Sequence, residues 1–398
     1  MENIMSRAGT QDWAPGRAQR LQTGGPHFTL ERLVLRHLTP LTEHALDPLQ
    51  FGYRESVGVD DAVLYLLHRA YSYLDEPGSH VRIMFFDFSS AFNTIQPLLL
   101  GEKLKRMGVD PFFTSWIKNY LTGRPQFVRL GSCASDIVVS STGAPQGTVL
   151  APFLFTLYTS DFIYNSESCY VQKYSDDTAI VACVREELEG EYRDLIRAFG
   201  DWSERNGLLL NTSKTKELVI DYRRSKPHLQ PINIQGKDIA VVQTYKFLGV
   251  HLDDKLNWSA NAGALYKKGQ SRLFFLRKLR SFDVCKEMLL MFYQSVMASV
   301  LFYAAVCWGG NMSKRDTGRL DRLVRKAGSV VGLNLDSLGT VVERRMRSKL
   351  LAIMGNVNHP LHHILAGQSS SLRSGRLNTL RSRTERHRRS FVPAAIKL

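Results

Sequence analysis

Hydrophobic and polar positions follow two rhythms along this chain. Between Phe28 and Leu74 apolar residues recur at helical spacing, interrupted by the polar, glycine-containing stretch "DPLQFGYRESVGVDD". Ile83 to Phe86 is an unbroken apolar run, short enough for a buried strand. "CYVQKY" and "TAIVACV" alternate or run apolar on either side of "SDD", the pattern of a β-hairpin. From Gly147, "GTVLAPFLFTLYTSDFI" predicts a buried helix opened by a glycine loop. An amphipathic helix is expected from about Glu186 to Asn206, stopped by Gly207. "KELVIDYR" from Lys216 and "YKFLGVHLD" from Tyr245 predict strands, and beyond Leu256 the pattern is mostly helical. Residues before Pro26 are rich in Gly, Arg and Gln and lack periodicity, which predicts a disordered leader over 1–27. Residues 372–398 are arginine-rich, with Glu385 the single acid. No internal repeat is evident.

Composition narrows the class. A chain of 398 residues accommodates two or three domains, and 44% hydrophobic with 22% charged residues describes a folded globular protein. The net charge of +15 and pI of about 9.6 point to a polyanionic partner, either nucleic acid or an anionic membrane. No apolar run reaches the roughly 18 residues of a membrane span. The longest, "MLLMFYQSVMASVLFYAAVCW" from Met288, is broken by Gln294 and two serines and predicts a core helix. The N-terminus lacks the apolar segment of a signal peptide. Cys133, Cys169, Cys183, Cys285 and Cys307 form no CxxC pair, so reduced, mostly buried thiols are expected and a zinc site is not. An intracellular protein of nucleus or cytoplasm, with no membrane partner, follows as the expectation.

The acids carry the candidate chemistry. Asp87 ends the apolar strand in "IMFFDFSSAFNTI", where a carboxylate is either an N-cap for the next helix or a metal ligand. Asp176 and Asp177 stand side by side between the hairpin strands. A polar turn accounts for "SDD" alone, but not for two repelling carboxylates flanked so closely by apolar strands. Hard divalent cations do account for it. Mg²⁺ is usually held by one or two carboxylates plus substrate phosphates. Two such ions activate an attacking oxygen and stabilise a leaving one. Asp87 and Asp176 are therefore expected to converge. Between the acidic sites, Gly143, Pro145 and Gly147 of "STGAPQGTVLAPFLF" form a tight loop, an ordinary turn unless backbone must approach a nucleotide there. From Ala264, "ALYKKGQSRLFFLRKLRSF" carries Lys267, Lys268, Arg272, Arg277, Lys278 and Arg280 with no acid, while Leu265, Leu276 and Leu279 share a helical face. Such a helix is either solvated or tracks a nucleic-acid backbone.

The order of these motifs resembles a known family. "FFDFSSAFNTI", "GAPQGTVLAPFLFTLYTSDF", "YSDDTAI", "LLLNTSKTKELVI" and "YKFLGVHLD" follow one another as motifs A to E of reverse transcriptases do. "DPLQFGYRESVGVDDAVL" and "YLTGRPQFVRL" look like the blocks before motif A and between A and B. The resemblance runs from Phe28 to the C-terminus and is strongest to polymerases of non-LTR (LINE-type) retrotransposons, of the kind abundant in fish genomes. It implies an α+β right-hand polymerase with an antiparallel palm sheet, truncated fingers and a helical thumb. The implied divisions are residual fingers over 28–79, a palm over 80–250 with a fingers insertion around 100–145, a thumb over 251–335 and a basic C-terminal region over 336–398.

Residue roles follow from the same resemblance. Asp87 and Asp176 would bind two Mg²⁺ ions (Mn²⁺ as an alternative), with Asp177 beside them and the Phe88 carbonyl as a further ligand. Phe92 matches the steric gate beneath the sugar. Gln146, with Gly147, would contact the incoming nucleotide. Lys214 matches the lysine proposed to protonate pyrophosphate. Phe247, Leu248 and Gly249 match the primer grip, and Lys267, Lys268 and Arg272 would lie along the template–primer. The implied partners are an RNA template, a DNA primer and deoxynucleoside triphosphates. Oligomeric state is not specified.

The chain departs from the family at three places. Asn93 replaces a second motif A aspartate, Ser175 replaces the usual alanine of the "YADD" box, and only about fifty residues precede "QFGYR". A truncated piece of a retroelement protein, without an endonuclease domain, is therefore expected. An inactive RNA-binding remnant is the alternative to an active enzyme. A remote alternative rests on "HLD", where His251 and Asp253 fit the His-x-Asp signature of iron/2-oxoglutarate dioxygenases with His359 as third ligand. The C-terminal half also resembles a segment that precedes the dioxygenase domain in an AlkB-type tRNA-modifying protein. Against it, the jelly-roll strand pattern is missing and His251 lies in the motif E strand.

Overall fold

The strand His80–Phe86 is buried throughout because both of its faces are covered. Val81, Ile83 and Phe85 point into one core, shared with the helix Val59–Leu74; Met84 and Phe86 point into the other. In the computed structural model, which describes residues 26–185, 189–224, 230–368, 378 and 380–398, this strand lies at the centre of a five-stranded sheet. The order is Val241–Val242, Lys216–Ile220, His80–Phe86, Asp177–Val184, Cys169–Tyr174. All neighbours are antiparallel except the first pair. The second face is closed by the helices Pro97–Arg106, Leu150–Tyr158 and Glu189–Arg205.

A buried ion network ties this second face together. Arg82, fully buried, donates two hydrogen bonds to Glu217 at 2.7 and 3.1 Å and one to Glu189 at 2.8 Å. Its guanidinium also lies over the Tyr192 ring, whose hydroxyl donates to Glu217. Removing one partner of such a group leaves an uncompensated buried charge, at a cost of about 3–5 kcal/mol.

Beyond Asp253 the described chain is helical. Ser259–Arg280, Lys314–Val331 and Leu338–Met354 pack around Trp258 and Trp308, and their core is continuous with the first face of the sheet. The apolar run from Met288 buries Leu289, Tyr293, Met297 and Leu301, as a core helix should, but it is not one helix. It passes through a π-helical turn at Tyr293–Ala298, breaks where Ala304 takes a positive φ, and resumes at Ala305–Trp308. No single helix among the described residues is long and apolar enough to cross a membrane.

Three expected boundaries can be set beside the fold. The leader does not extend to residue 27: Pro26 opens the helix Pro26–Thr42, at the position where a missing N–H costs nothing. Residues 1–25, and 186–188 at the expected start of the amphipathic helix, lie outside the described residues; that helix is described over Glu189–Arg205. Residues 336–398, expected as a basic C-terminal region, also contribute to the main core. Leu338, Val341, Val342, Met346, Phe391, Val392 and Ala395 enter the main core, and Asp75 accepts hydrogen bonds from the backbone of Arg383 and Thr384. Arginines dominate the composition there, but the sparse apolar residues decide the packing. Of the free cysteines, Cys169, Cys183 and Cys307 are buried, and Cys133 and Cys285 are exposed.

Candidate active site

Strand register brings the acids together. The pairs of His80–Phe86 with Asp177–Val184 run from His80 opposite Val184 to Phe86 opposite Thr178. Asp87 directly follows Phe86 and Asp177 directly precedes Thr178, so the two acids sit at the same end of this ladder. In the hairpin itself Tyr174 pairs with Asp177, so Ser175 and Asp176 form a two-residue turn with Ser175 at φ 58°. A positive φ at the first turn position matches the right-handed strand twist, at a conformational cost for any residue but glycine. Partial burial, then the charges of Asp176 and Asp87, push the Asp177 carboxyl up to about 6, although its residue surface stays open to solvent on one side. The three acids therefore share one electrostatic field.

Flanking segments hold Asp87. Its backbone carbonyl accepts from the Asn211 N–H at 2.8 Å, and Phe88 forms an isolated bridge with Leu210. The loop that follows Asn211 carries Lys214, whose Nζ lies 3.6 Å from Asp87 Oδ2. That Oδ2 is buried and accepts no hydrogen bond. A carboxylate oxygen with no hydrogen bond, an exposed ammonium 3.6 Å away and two further acids beside it fits a cation, and oxygen donors are what Mg²⁺ takes. Among the described residues no group of three or more His, Cys, Asp or Glu side chains is arranged to hold a metal ion by itself. A Mg²⁺ ion that takes its remaining ligands from substrate phosphates and water does not need one.

The expected nucleotide-contacting residues surround the same strand end. Phe92, in the 3₁₀ turn Ala91–Asn93, packs on Phe155 with ring centroids 4.8 Å apart. The glycine loop docks directly onto that turn. Gly143 N–H donates to the Ile95 carbonyl at 2.7 Å, and Ala144 N–H donates to the Phe92 carbonyl at 2.8 Å. A Cβ at Gly143 would lie 2.6 Å from Asn93 Cα, so only glycine permits this approach. Gln146 donates to the Asn93 side chain at 3.3 Å, and Gly147 follows at φ 82°.

The hairpin Thr244–Phe247 and Val250–Asp253 stacks against the central strand through Phe85, 4.0 Å from Tyr245 and 5.1 Å from Phe247 between ring centroids. Burial, then Asp177 and Asp87, raise the Tyr245 hydroxyl to about 12, which places this hairpin within reach of the acids. Phe247 is buried, and Leu248 and Gly249 form its two-residue turn, both at positive φ. Tyr303 of the helical lobe donates to the Leu248 carbonyl at 2.9 Å. On the helix Ser259–Arg280, Leu265, Leu273 and Leu276 are buried, Leu279 and Arg272 are half-buried, and Lys267 and Lys268 are exposed. Burial, then the positive charges of Lys246 and Lys268, lower the His251 imidazole, so Lys268 lies close to this hairpin.

Several supporting residues had no chemical signal in the sequence. Gln50, buried in the "QFGYR" block, accepts from the N–H groups of Gly52 and Ser175 at 2.9 Å each. Its side-chain amide donates to the Ser175 carbonyl at 3.1 Å. A side chain at Gly52 would collide with the Ser175 amide nitrogen. The buried Lys173 Nζ ties the hairpin to Asp47 at 2.8 Å and to the carbonyls of Thr159 and Phe162. Glu31, in the first helix, accepts from the Val149 and Leu150 N–H groups and so caps the helix after the glycine loop. Only the "QFGYR" block stood out in the sequence, and it did so by resemblance.

The dioxygenase triad is not assembled. Asp253 accepts the backbone N–H groups of Lys255 and Asn257 on one oxygen and of Trp258 on the other. His359 faces Asp61, with Nε2 at 3.1 Å from Oδ1, and accepts the Leu361 N–H on Nδ1. Both side chains are occupied by structural partners in different places, so the His-x-Asp pattern arose from strand and turn chemistry.

Comparison with known proteins agrees with the order of motifs. Residues 29–252 match the model of the reverse transcriptase (RNA-dependent DNA polymerase) family. Residues 258–299 match a second model, the N-terminal region of alkylated DNA repair protein alkB homolog 8. His251, Asp253 and His359 all lie outside that second segment. The chain is similar to the RNA-directed DNA polymerase from mobile element jockey of Drosophila melanogaster, 27% identical over 300 residues, covering 70% of this chain and 32% of that protein. It is also similar to the probable RNA-directed DNA polymerase from transposon X-element of the same species, 25% identical, covering 70% of this chain and 31% of that one. The chain thus spans about a third of the length of these relatives. Among solved structures it is similar to apo telomerase from Candida tropicalis, with a TM-score of 0.44 and 13% identity over 84% of this chain and 54% of that one.

Proposed function

The chain belongs to the reverse transcriptase family, and from that premise we propose that it forms the polymerase portion of a non-LTR retrotransposon protein, copying an RNA template onto a DNA primer. In this reading the five-stranded sheet is the palm, the helices beyond Asp253 are the thumb, and residues 26–79 with the segment around 100–145 are the fingers. The observation that carries the reading is the meeting of Asp87, Asp176 and Asp177 at paired strand ends, with an Asp87 oxygen that accepts no hydrogen bond among them.

Asp87, Asp176 and Asp177, with the Phe88 carbonyl, are the residues that would hold two Mg²⁺ ions. Bound there, divalent cations lower the pKa of an attacking hydroxyl and neutralise charge on the departing phosphate. The chain's own groups do the positioning. Phe92, backed by Phe155, forms the floor beneath the sugar of a deoxynucleoside triphosphate, and Gln146, tied to Asn93, borders the same space. The turn Leu248–Gly249 carries the primer end, held rigid by Phe247 beneath and Tyr303 behind. Lys214, whose Nζ lies 3.6 Å from Asp87 Oδ2, would be the proton donor to the departing pyrophosphate.

Primer extension tests this. Asp176→Asn keeps the shape of the turn but removes one charge. It should abolish Mg²⁺-dependent extension on a primed RNA and leave affinity for that RNA within about twofold. Extension by the variant at wild-type rate would defeat the assignment. A wild-type chain that binds primed RNA yet extends nothing in Mg²⁺ or Mn²⁺ would be the inactive remnant.

A further inference from the structure

We propose that the helical lobe carries a second nucleic-acid site, in which an unpaired base of single-stranded RNA stacks on Phe275 between Arg272 and Lys278. The inference rests on the polymerase reading and extends it to a surface outside the catalytic cleft. Its basis is a cavity of about 370 Å³ lined by Arg272, Phe275, Lys278, Leu279, Phe292 and Val296. These residues come from the helix Ser259–Arg280 and the helical segment Lys286–Ala298.

Three features select the occupant. The first is continuity: Lys268, Arg272, Phe275 and Leu279 follow at spacings of four, three and four, which puts them on one flank of the helix. That flank starts beside the hairpin that bears the Leu248–Gly249 turn and ends at the cavity. The second is exposure. Phe274, Phe275 and Phe282 are 63%, 49% and 67% exposed, and large aromatic groups left open together mark an interaction surface. The third is charge. The helix has no acid, Lys278 lies over the Phe282 ring at 5.0 Å, and the nearest acids in sequence, Asp283 and Glu287, do not line the cavity. Exposed rings set among arginine and lysine suit a strand whose base faces are open and whose phosphates run alongside. A duplex hides its base faces, so single-stranded RNA is the better fit. The groove then receives template before it pairs or after it leaves the primer.

The test uses the full chain with two probes, a single-stranded RNA containing 5-bromouridine and a blunt RNA–DNA hybrid. Irradiation should cross-link the single strand at Phe275. Phe275→Leu, which keeps apolar bulk but not the ring, should weaken single-strand binding about tenfold, and Phe275→Trp should restore it. Affinity for the hybrid should move by less than about twofold, and thermal melting should confirm that both variants fold. Equal losses on both probes, or no loss on the single strand, would overturn the second site while leaving the polymerase reading intact. Phe275-dependent binding to anionic vesicles, with RNA binding unchanged, would reassign the patch to a membrane. Failure of the wild type to bind either probe would overturn the second site and the polymerase reading together.

Discussion

At the scale of single residues, the site is built from groups that are unfavourable until something positive arrives. Asp177 is the clearest case. A carboxyl raised to about 6 in the folded chain, against about 4 when unfolded, loses stability on ionising. The sign follows from proton counting. Below pH 4 both states are protonated and nothing is lost. Between about 4 and 6 the folded state holds its proton longer, and stability falls as pH rises. Above 6 the penalty is complete. In EDTA, Asp177→Asn should therefore melt higher than wild type at pH 7.5, and the gap should close as pH falls to 4. A gap independent of pH would mean that the substitution acts through packing rather than charge. Added Mg²⁺ should raise the wild-type melting temperature at pH 7.5 and raise that of the variant less. Lys214 cannot perform this neutralisation alone, since its ammonium is exposed and 3.6 Å from Asp87.

At the scale of elements, the acidic turn is held from outside its own hairpin. The segment around Gln50 lies beside Lys173 as a parallel bridge, and Gln50 brackets both backbone groups of Ser175. Gln50→Ala removes three hydrogen bonds and leaves the buried Gly52 amide and the half-buried Ser175 amide unpaired, which should destabilise the chain by about 1–3 kcal/mol. If the clamp positions Asp176, the variant should also lose extension rate at saturating nucleotide, with the nucleotide KM little changed. Gln50→Glu, which keeps the acceptor oxygen but replaces the amide donor with a second oxygen, should recover part of that rate. Melting that falls while the rate per folded molecule holds would make the clamp structural only. The strands themselves were legible in the sequence, because a run buried on both faces and a hairpin broken by "SDD" leave strong patterns. The clamp was not, because a buried glutamine in a loop has no periodicity and its partners stand 125 residues away. Glu31 was hidden for the same reason: its role depends on which helix end happens to lie beside it. The "HLD" reading failed because asparagine- and aspartate-capped turns use the same residues as metal sites.

At the scale of the whole molecule, the excess of +15 is not spread evenly in its consequences. Much of the arginine near the C-terminus lies on a segment that folds back onto the helix Val59–Leu74, where Asp75 receives Arg383 and Thr384. Composition showed the charge but not this return, since Phe391 and Val392 are too few to register as an element. Charge open to a polyanion beside the sheet is found on Ser259–Arg280, whose Lys267 and Lys268 are exposed close to the hairpin of the Leu248–Gly249 turn. Substitutions at exposed positions of this kind change folding stability by no more than about 0.5 kcal/mol, so their effect on binding can be read cleanly. Reversing both lysines to glutamate should weaken binding to a primed RNA. It should also flatten the dependence of log K on log salt by about one for each phosphate that the chain no longer neutralises. The two effects separate causes. A side chain that merely packs would change affinity at every salt concentration alike, whereas one that neutralises a phosphate releases a counterion and must change the slope. Affinity and slope both equal to wild type would remove this helix from the nucleic-acid path. A fall in affinity with an unchanged slope would place the lysines beside the path without touching it.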